Sequence, residues 1–308
     1  TDAKNHEGVL LPRHNFSGED IVVLKLDNGY NIGVSVEGAE LSILSKAKKD
    51  KVEFTKKKKN KELKDITVLA TGGTIASFVD YKTGAVSPAI TAEQLVNSVS
   101  ALDKVANIDA EPLFSLASED MAPKHWEEIA KKAKEIHDKK QHGIVIGHGT
   151  DTMAYSAAAL SFQLPEISNP VIFTGAQRSP DRPSSDAHLN LVGAAKPAMT
   201  DLGEIVIAMH QTTDDENVAL WRGTRVRKAH SSRRDAFMSP NEGPLGLVKE
   251  NVELKGKYRP TAKETKMESG FEDNIGMVWS HPGLGIEDWE GITSRKKGVV
   301  IVGTGLGH

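Results

Sequence analysis

With 308 residues, 38% of them hydrophobic and 26% charged, the chain has the length of two ordinary domains and the composition of a folded protein. A formal net charge of −3 excludes attachment to nucleic acid by bulk charge, and the lack of cysteine excludes disulfides, thiolate zinc sites and cysteine nucleophiles. No run approaches the ~18–20 apolar residues that cross a bilayer, and the opening TDAKNHEG has no apolar signal core, so a cytoplasmic protein without a membrane partner is expected.

Residues 1–50 read as a small β-barrel-like module. GVLLPRH and DIVVLKL are strand-like, and Asp27-Asn28-Gly29 separates the second from YNIGVSV. Asn-Gly signals a hairpin there, because a type I′ turn needs positive φ at both central residues. Residues 51–64 are polar and lysine-rich and read as a linker. Their run Lys56–Lys59 is either a solvated connector or a contact for a polyanion such as tRNA. From 65 to 251 strands (ITVLA, GIVIG, PVIFTG, EIVIAMH, NVALW) alternate with helices (QLVNSVSALDKV, HWEEIAKKAKEIHDKK, TMAYSAAALSFQL). That alternation predicts an α/β domain with a parallel, doubly wound sheet and helices on both faces. The polar stretch 252–272 reads as an inter-domain linker. NIGMVWSHPG and GVVIVGTG then begin a second, smaller α/β unit over 273–308 that the sequence leaves unfinished.

Ligands of open α/β sheets bind at the carboxyl ends of the strands, and three segments fall there. Thr71-Gly72-Gly73-Thr74-Ile75-Ala76-Ser77 follows ITVLA. Its glycines let backbone approach a ligand, and its hydroxyls could act on one, although a plain strand exit or a phosphate-binding turn has the same look. Neither GxGxxG nor GxxxxGK[ST] occurs, so nucleotide binding has no specific support. Gly147-His148-Gly149-Thr150-Asp151-Thr152 precedes an Ala-rich helix, where Thr150 or Asp151 suits an N-cap and the helix start favours an anionic group. Val226-Arg227-Lys228 lies in a basic segment, Arg222 to Arg234. A lysine, an aspartate and two threonines can form a relay, since a threonine hydroxyl becomes nucleophilic only when a base takes its proton. His148 reads as structural, and the 11 scattered histidines show no paired metal-ligand spacing.

ATGGTIAS and HGTDTM resemble the two signature segments of the bacterial-type asparaginase and glutaminase family, with GAQR at 175–178 and GTRVRK in matching order. The resemblance covers 65–308 and implies an asparaginase-like fold. It makes Thr74 the first-choice nucleophile and Thr150, Asp151 and Lys228 a second triad-like group, leaving open which threonine attacks first. Backbone at Gly73 would hold the substrate's oxyanion. Tyr81 falls in the region of the family's mobile lid. Ser118, Glu119 and Asp120 align with the loop that grips the substrate's α-amino and α-carboxylate groups, where stand-alone asparaginases commonly have Gln in place of Glu119.

The N-terminal VLLPRH…IVVLKLDNGYNIGV, the longer ATGGTIASFVDYKTGAV and RGTRVRKAHSSRRDAF are similar to the D-subunit family of archaeal-type glutamyl-tRNA(Gln) amidotransferases, extending the match to nearly the whole chain. That similarity implies hydrolysis of glutamine to glutamate and ammonia, the ammonia passing to an E subunit. The E subunit would use ATP and Mg2+ to turn Glu-tRNA(Gln) into Gln-tRNA(Gln) and would hold most of the tRNA(Gln). No cofactor is implied in this chain. A homodimeric core within a tetramer of two D and two E subunits is implied, each site closed by a residue from the neighbouring subunit's second domain. The alternatives are a stand-alone L-asparaginase and a non-catalytic, tRNA-contacting scaffold. Intact Thr74, Thr150, Asp151 and Lys228 speak against the scaffold.

Overall fold

The computed structural model describes residues 6–10, 20–25, 31–44, 59–79, 86–88, 95–96, 99–140, 142–180, 185–214 and 216–307. Near the N-terminus β1 (Val9–Leu10), β2 (Ile21–Lys25) and β3 (Asn31–Ser35) form an antiparallel sheet with β2 in the middle. The β-branched Ile21, Val22 and Val23 favour the pleated backbone. β2 turns back on β3 with Lys25 opposite Asn31, as a hairpin requires, while the Asn28-Gly29 turn itself lies outside the described residues.

The strands that follow are β4 (Asp65–Gly72), a short β5–β6 hairpin (Ser77–Val79 and Val86–Pro88), β7 (Asn107–Leu116), β8 (Gly143–Gly147), β9 (Val171–Thr174) and β10 (Ile205–His210). After them come β11 (Val218–Arg222), the small β12–β13 pair (Arg227–Lys228 and Phe237–Met238), β14 (Gly246–Val248) and β15 (Val252–Leu254). Eight strands make one sheet in the order β15-β14-β11-β10-β9-β8-β4-β7. The half β7-β4-β8-β9-β10 is parallel, as expected. The rest is antiparallel, so the sheet is mixed. The connection 211–217 is too short for the crossover of about a dozen residues that a parallel neighbour needs.

Helices α1 (Pro123–Lys140) and α2 (Met153–Gln163) cover one face of this sheet. Helix α3 (Ala187–Ala195) and the segment around Leu95, Val99 and Leu102 cover the other. In α1 the buried Ile129, Ala130, Ala133, Ile136 and His137 recur at helical spacing, which turns the lysines and glutamates outward. Alternation does the same in the strands: Leu69, Ile144 and Ile146 face α1 and α2, and Val68 and Val145 face α3. The helix expected over 94–105 is broken at Val99 (φ −113°, ψ 81°), after which Ser100–Lys104 is a 3-10 turn. Among the described residues no helix is long and apolar enough to cross a membrane.

Two stretches expected as linkers are tied to the domain. Asn60 exchanges backbone hydrogen bonds with the Asn107 side chain, and Lys59 pairs with Asp65 at 2.9 Å. Lys56, Lys57 and Lys58 lie outside the described residues. Residues 252–268 supply β15, a bridge between Leu202 and Pro260, and buried Thr265, whose Oγ1 lies 2.7 Å from His137 Nδ1. Its polar residues find partners on the domain surface, which corrects the linker reading for that part. Beyond it β16 (Ile275–Trp279), α4 (Ile286–Thr293) and β17 (Gly298–Val302) form a βαβ unit with parallel strands.

Candidate active site

The chain passes from β4 out to β7 on one flank and returns to β8 on the other, so strand order reverses at β4 and β8. A crevice opens outside the carboxyl ends of the strands at such a point. Three turns meet there. Thr71 is buried and its Oγ1 donates to Gly147 O at 2.9 Å, tying the ends of β4 and β8 together. Gly73 has φ +80°, and a Cβ on it would stand 2.4 Å from Gly149 N. A Cβ on Gly149 would in turn stand 2.7 Å from Ser118 Cβ. Only glycine fits either position, so the Gly73 turn packs on the backbone of Gly149 and Gly149 in turn packs on Ser118. Thr152 Oγ1 closes the third side by donating to Ser118 O at 2.6 Å. The cleft they enclose, about 260 Å³, is lined by Gly73, Thr74, Ser118, Glu119, Thr150 and Asp151, among others.

Lys228 arrives from far along the chain. It sits in β12, opposite the buried Phe237 of β13 and next to buried Val226. Those anchors hold its side chain nearly covered, at 9% exposure. Its Nζ donates to Thr150 Oγ1 at 2.8 Å and to Asp151 Oδ1 at 2.7 Å. Thr150, Asp151 and Lys228 are thus one hydrogen-bonded group beside the turn that carries Thr74. Ser118 is buried and Glu119 exposed at the cleft, while Asp120, in the same 3-10 turn, is exposed and does not line it. Tyr81 lies outside the described residues.

Gln177 was not among the expected site residues. Thr150 Oγ1 donates to its Oε1 at 3.1 Å, and its Nε2 donates to Arg233 O at 3.0 Å. The stretch GAQR carries it, but a glutamine in a loop signals no chemistry until its neighbours in the fold are known.

Residues 65–260 match the family model described as Asparaginase, N-terminal, and residues 1–44 match that described as GatD N-terminal domain. The D subunit of glutamyl-tRNA(Gln) amidotransferase from Pyrococcus furiosus is 46% identical across 98% of this chain and 71% of its own length. The chain belongs to that family of D subunits. The Thermococcus kodakarensis member is 44% identical across 98% of this chain and 70% of its own. Among solved structures, the thermostable L-asparaginase from Thermococcus kodakarensis superposes with a TM-score of 0.71 at 31% identity, covering 78% of this chain and 71% of that one. A probable cytoplasmic L-asparaginase from Campylobacter jejuni gives 0.65 at 27% identity, covering 79% and 75%. The central domain therefore has the asparaginase-type α/β fold of an amidohydrolase family.

His148, inside the second signature segment, faces the interior. It is fully buried, with Nδ1 2.7 Å from Gly149 O and Nε2 2.9 Å from Ser156 Oγ. A carbonyl can only accept, so Nδ1 carries the proton and Nε2 accepts from Ser156, which in turn accepts from Trp126 Nε1 at 2.9 Å. Burial pushes this imidazole down to about 4, keeping it neutral. Its work is to hold the 148–149 turn. Ser156→Ala would strand the buried His148 Nε2 and the half-buried Trp126 Nε1, so a destabilisation of about 2 kcal/mol is expected by urea unfolding.

Proposed function

We propose that this chain is the glutaminase component of a tRNA-dependent amidotransferase. The observation that carries this reading is Lys228 Nζ bridging Thr150 Oγ1 and Asp151 Oδ1 beside the cleft that Thr74 also lines. Thr74 Oγ1 attacks the side-chain amide carbon of glutamine while backbone N–H groups of the Gly73 turn receive the developing oxyanion. The C–N bond breaks, ammonia leaves with the added proton, and glutamate remains as an ester on Thr74. The Thr150–Lys228–Asp151 group prepares the water that cleaves this ester, and the proton the water gives up returns to Thr74 Oγ1 as that oxygen leaves. Glu119 offers a carboxylate for the α-ammonium group of the amino acid, with Ser118 and Asp120 beside it. The ammonia passes to an E subunit that binds ATP, Mg2+ and Glu-tRNA(Gln) in the cytoplasm, two copies of this chain forming the core of the assembly.

The fold likeness to L-asparaginases favours one second reading, a free-standing asparaginase. Ammonia release from glutamine and from asparagine, with and without the E subunit and Glu-tRNA(Gln), separates the two. Glutamine turnover that rises with partner and charged tRNA is the expected result; rapid partner-independent asparagine turnover would replace it by the second reading. Thr74→Val is expected to reduce glutamine turnover at least about 10³-fold, as loss of a covalent nucleophile does. Mass spectrometry of the enzyme quenched during turnover should find the glutamyl ester on Thr74, and an ester on Thr150 would reverse the two threonine roles.

A further inference from the structure

Resting on the glutaminase reading above, we propose that Gln177 is a positioning residue that sets the direction of the Thr150 hydroxyl. The amide of Gln177 can stand only one way round. Arg233 O, 3.0 Å from Nε2, can only accept, so the NH2 must face it and Oε1 must face Thr150 at 3.1 Å. Oε1 can also only accept, so the Thr150 proton points at Gln177. The oxygen lone pairs of Thr150 are then left for Lys228 Nζ at 2.8 Å and for the cleft that Thr150 lines.

The backbone under Gln177 is held just as tightly. The N–H groups of Gln177 and Arg178 both donate to the carboxylate of Asp186, at 2.9–3.0 Å. Asp186 is fully buried and takes a further hydrogen bond at 3.0 Å from Asn190 Nδ2, which also donates to Gly175 O. Asn190 Oδ1 therefore faces His210 Nδ1, 2.7 Å away in β10. All three of these groups donate to Asp186, a demand that a carboxylate satisfies and an amide could not. A chain of polar groups, buried from His210 through Asn190 to Asp186, thus runs from the sheet interior through α3 to the half-buried Gln177 at the cleft, which fixes a hydroxyl rotor. Fixing that rotor before substrate arrives keeps an oxygen lone pair of Thr150 turned to the cleft, so that the hydroxyl accepts a hydrogen bond from the attacking water without first reorienting.

Gln177→Leu and Gln177→Met remove the acceptor and leave the backbone N–H to Asp186 in place. In the full-length protein with its E subunit, kcat for glutamine hydrolysis is expected to fall about 10–100-fold, a loss typical of misorientation, with KM within about threefold. Thermal midpoints should stay within a few degrees of the parent. A kcat within threefold of the parent in whichever variant folds, or a loss carried wholly by KM, overturns the proposal. Lys228→Ala, measured alongside, separates the two levels of the argument. If it is inactive while the Gln177 variants keep their kcat, the positioning role alone fails. If it turns over at the parent rate, the relay on which both readings rest is absent.

Discussion

Lys228→Ala is expected to lower glutamine turnover by about 10²–10⁴-fold, the usual contribution of a positioned acid–base group. Lys228 Nζ stands within hydrogen-bond reach of Thr150 Oγ1, and the same nitrogen bonds Asp151. Removing it takes away the donor that holds the Thr150 oxygen and the bridge to Asp151, while the hydroxyl stays directed at Gln177. The fold should survive. Asp151 is 66% exposed, and an ion pair so open to water contributes at most about 1 kcal/mol. Because Thr150 and Lys228 act as one unit, adding Thr150→Val to Lys228→Ala should cost less than about a further tenfold. Ammonia release at saturating glutamine, with folding checked by circular dichroism, decides the matter: independent, multiplicative losses would separate the two residues into different steps.

Acidification from pH 6.5 to about 4 is expected to destabilise the fold by about 3 kcal/mol for each of two buried histidines. Burial pushes both His137 and His148 down from 6.5 to about 4. Within that window the unfolded chain takes protons that the folded chain refuses. Stability is therefore lost as pH falls through 6.5, and the loss levels off below about 4. His142 is lowered by burial as well and acts in the same sense. The carboxylates act in a different window. Asp65, held low by Lys59, and Glu111, held low by Lys132 and Lys140, add stability that is present above the unfolded values of 3.8 and 4.5. That stability is lost only as pH falls through their lower folded values, below most of the histidine range. Urea unfolding at pH 7, 6, 5 and 4 tests the point, with His137→Gln expected to flatten the slope by about one proton. An unchanged slope in that variant would show that His137 takes up its proton in the folded state.

The parts of the fold that were readable from sequence are those whose signal is local. Helices α1 and α2 follow from apolar spacing, and β4, β8, β9 and β10 are short apolar runs buried on both faces. Strand β7 escaped that reading although it delivers Ser118 to the cleft. It is an edge strand, only half-buried, with Asp109, Glu111 and Pro112 in its run, and an edge tolerates such residues where a central strand does not. The stretch 252–268 was unreadable for the opposite reason. Its polar residues look like solvated linker until Asp201, Glu166 and His137 are seen to receive Tyr258, Lys266 and Thr265.

At the site the same division holds. Thr71–Thr74 and Gly147–Thr152 are recognisable as a pair of candidate turns because glycines and hydroxyls directly after buried strands shape a turn through local backbone freedom. Sequence by itself thus determined which turns stand at the carboxyl ends of the strands and which side chains they carry. The tertiary structure decided who touches whom. Lys228 meets Asp151, 77 positions away in the chain, because a small hairpin docks on Val226 and Phe237. Gln177 meets Thr150 because a buried carboxylate, Asp186 at the start of α3, draws its backbone in. Hydrogen bonds act over about 3 Å, and residues far apart in the chain come that close only through packing of the elements between them.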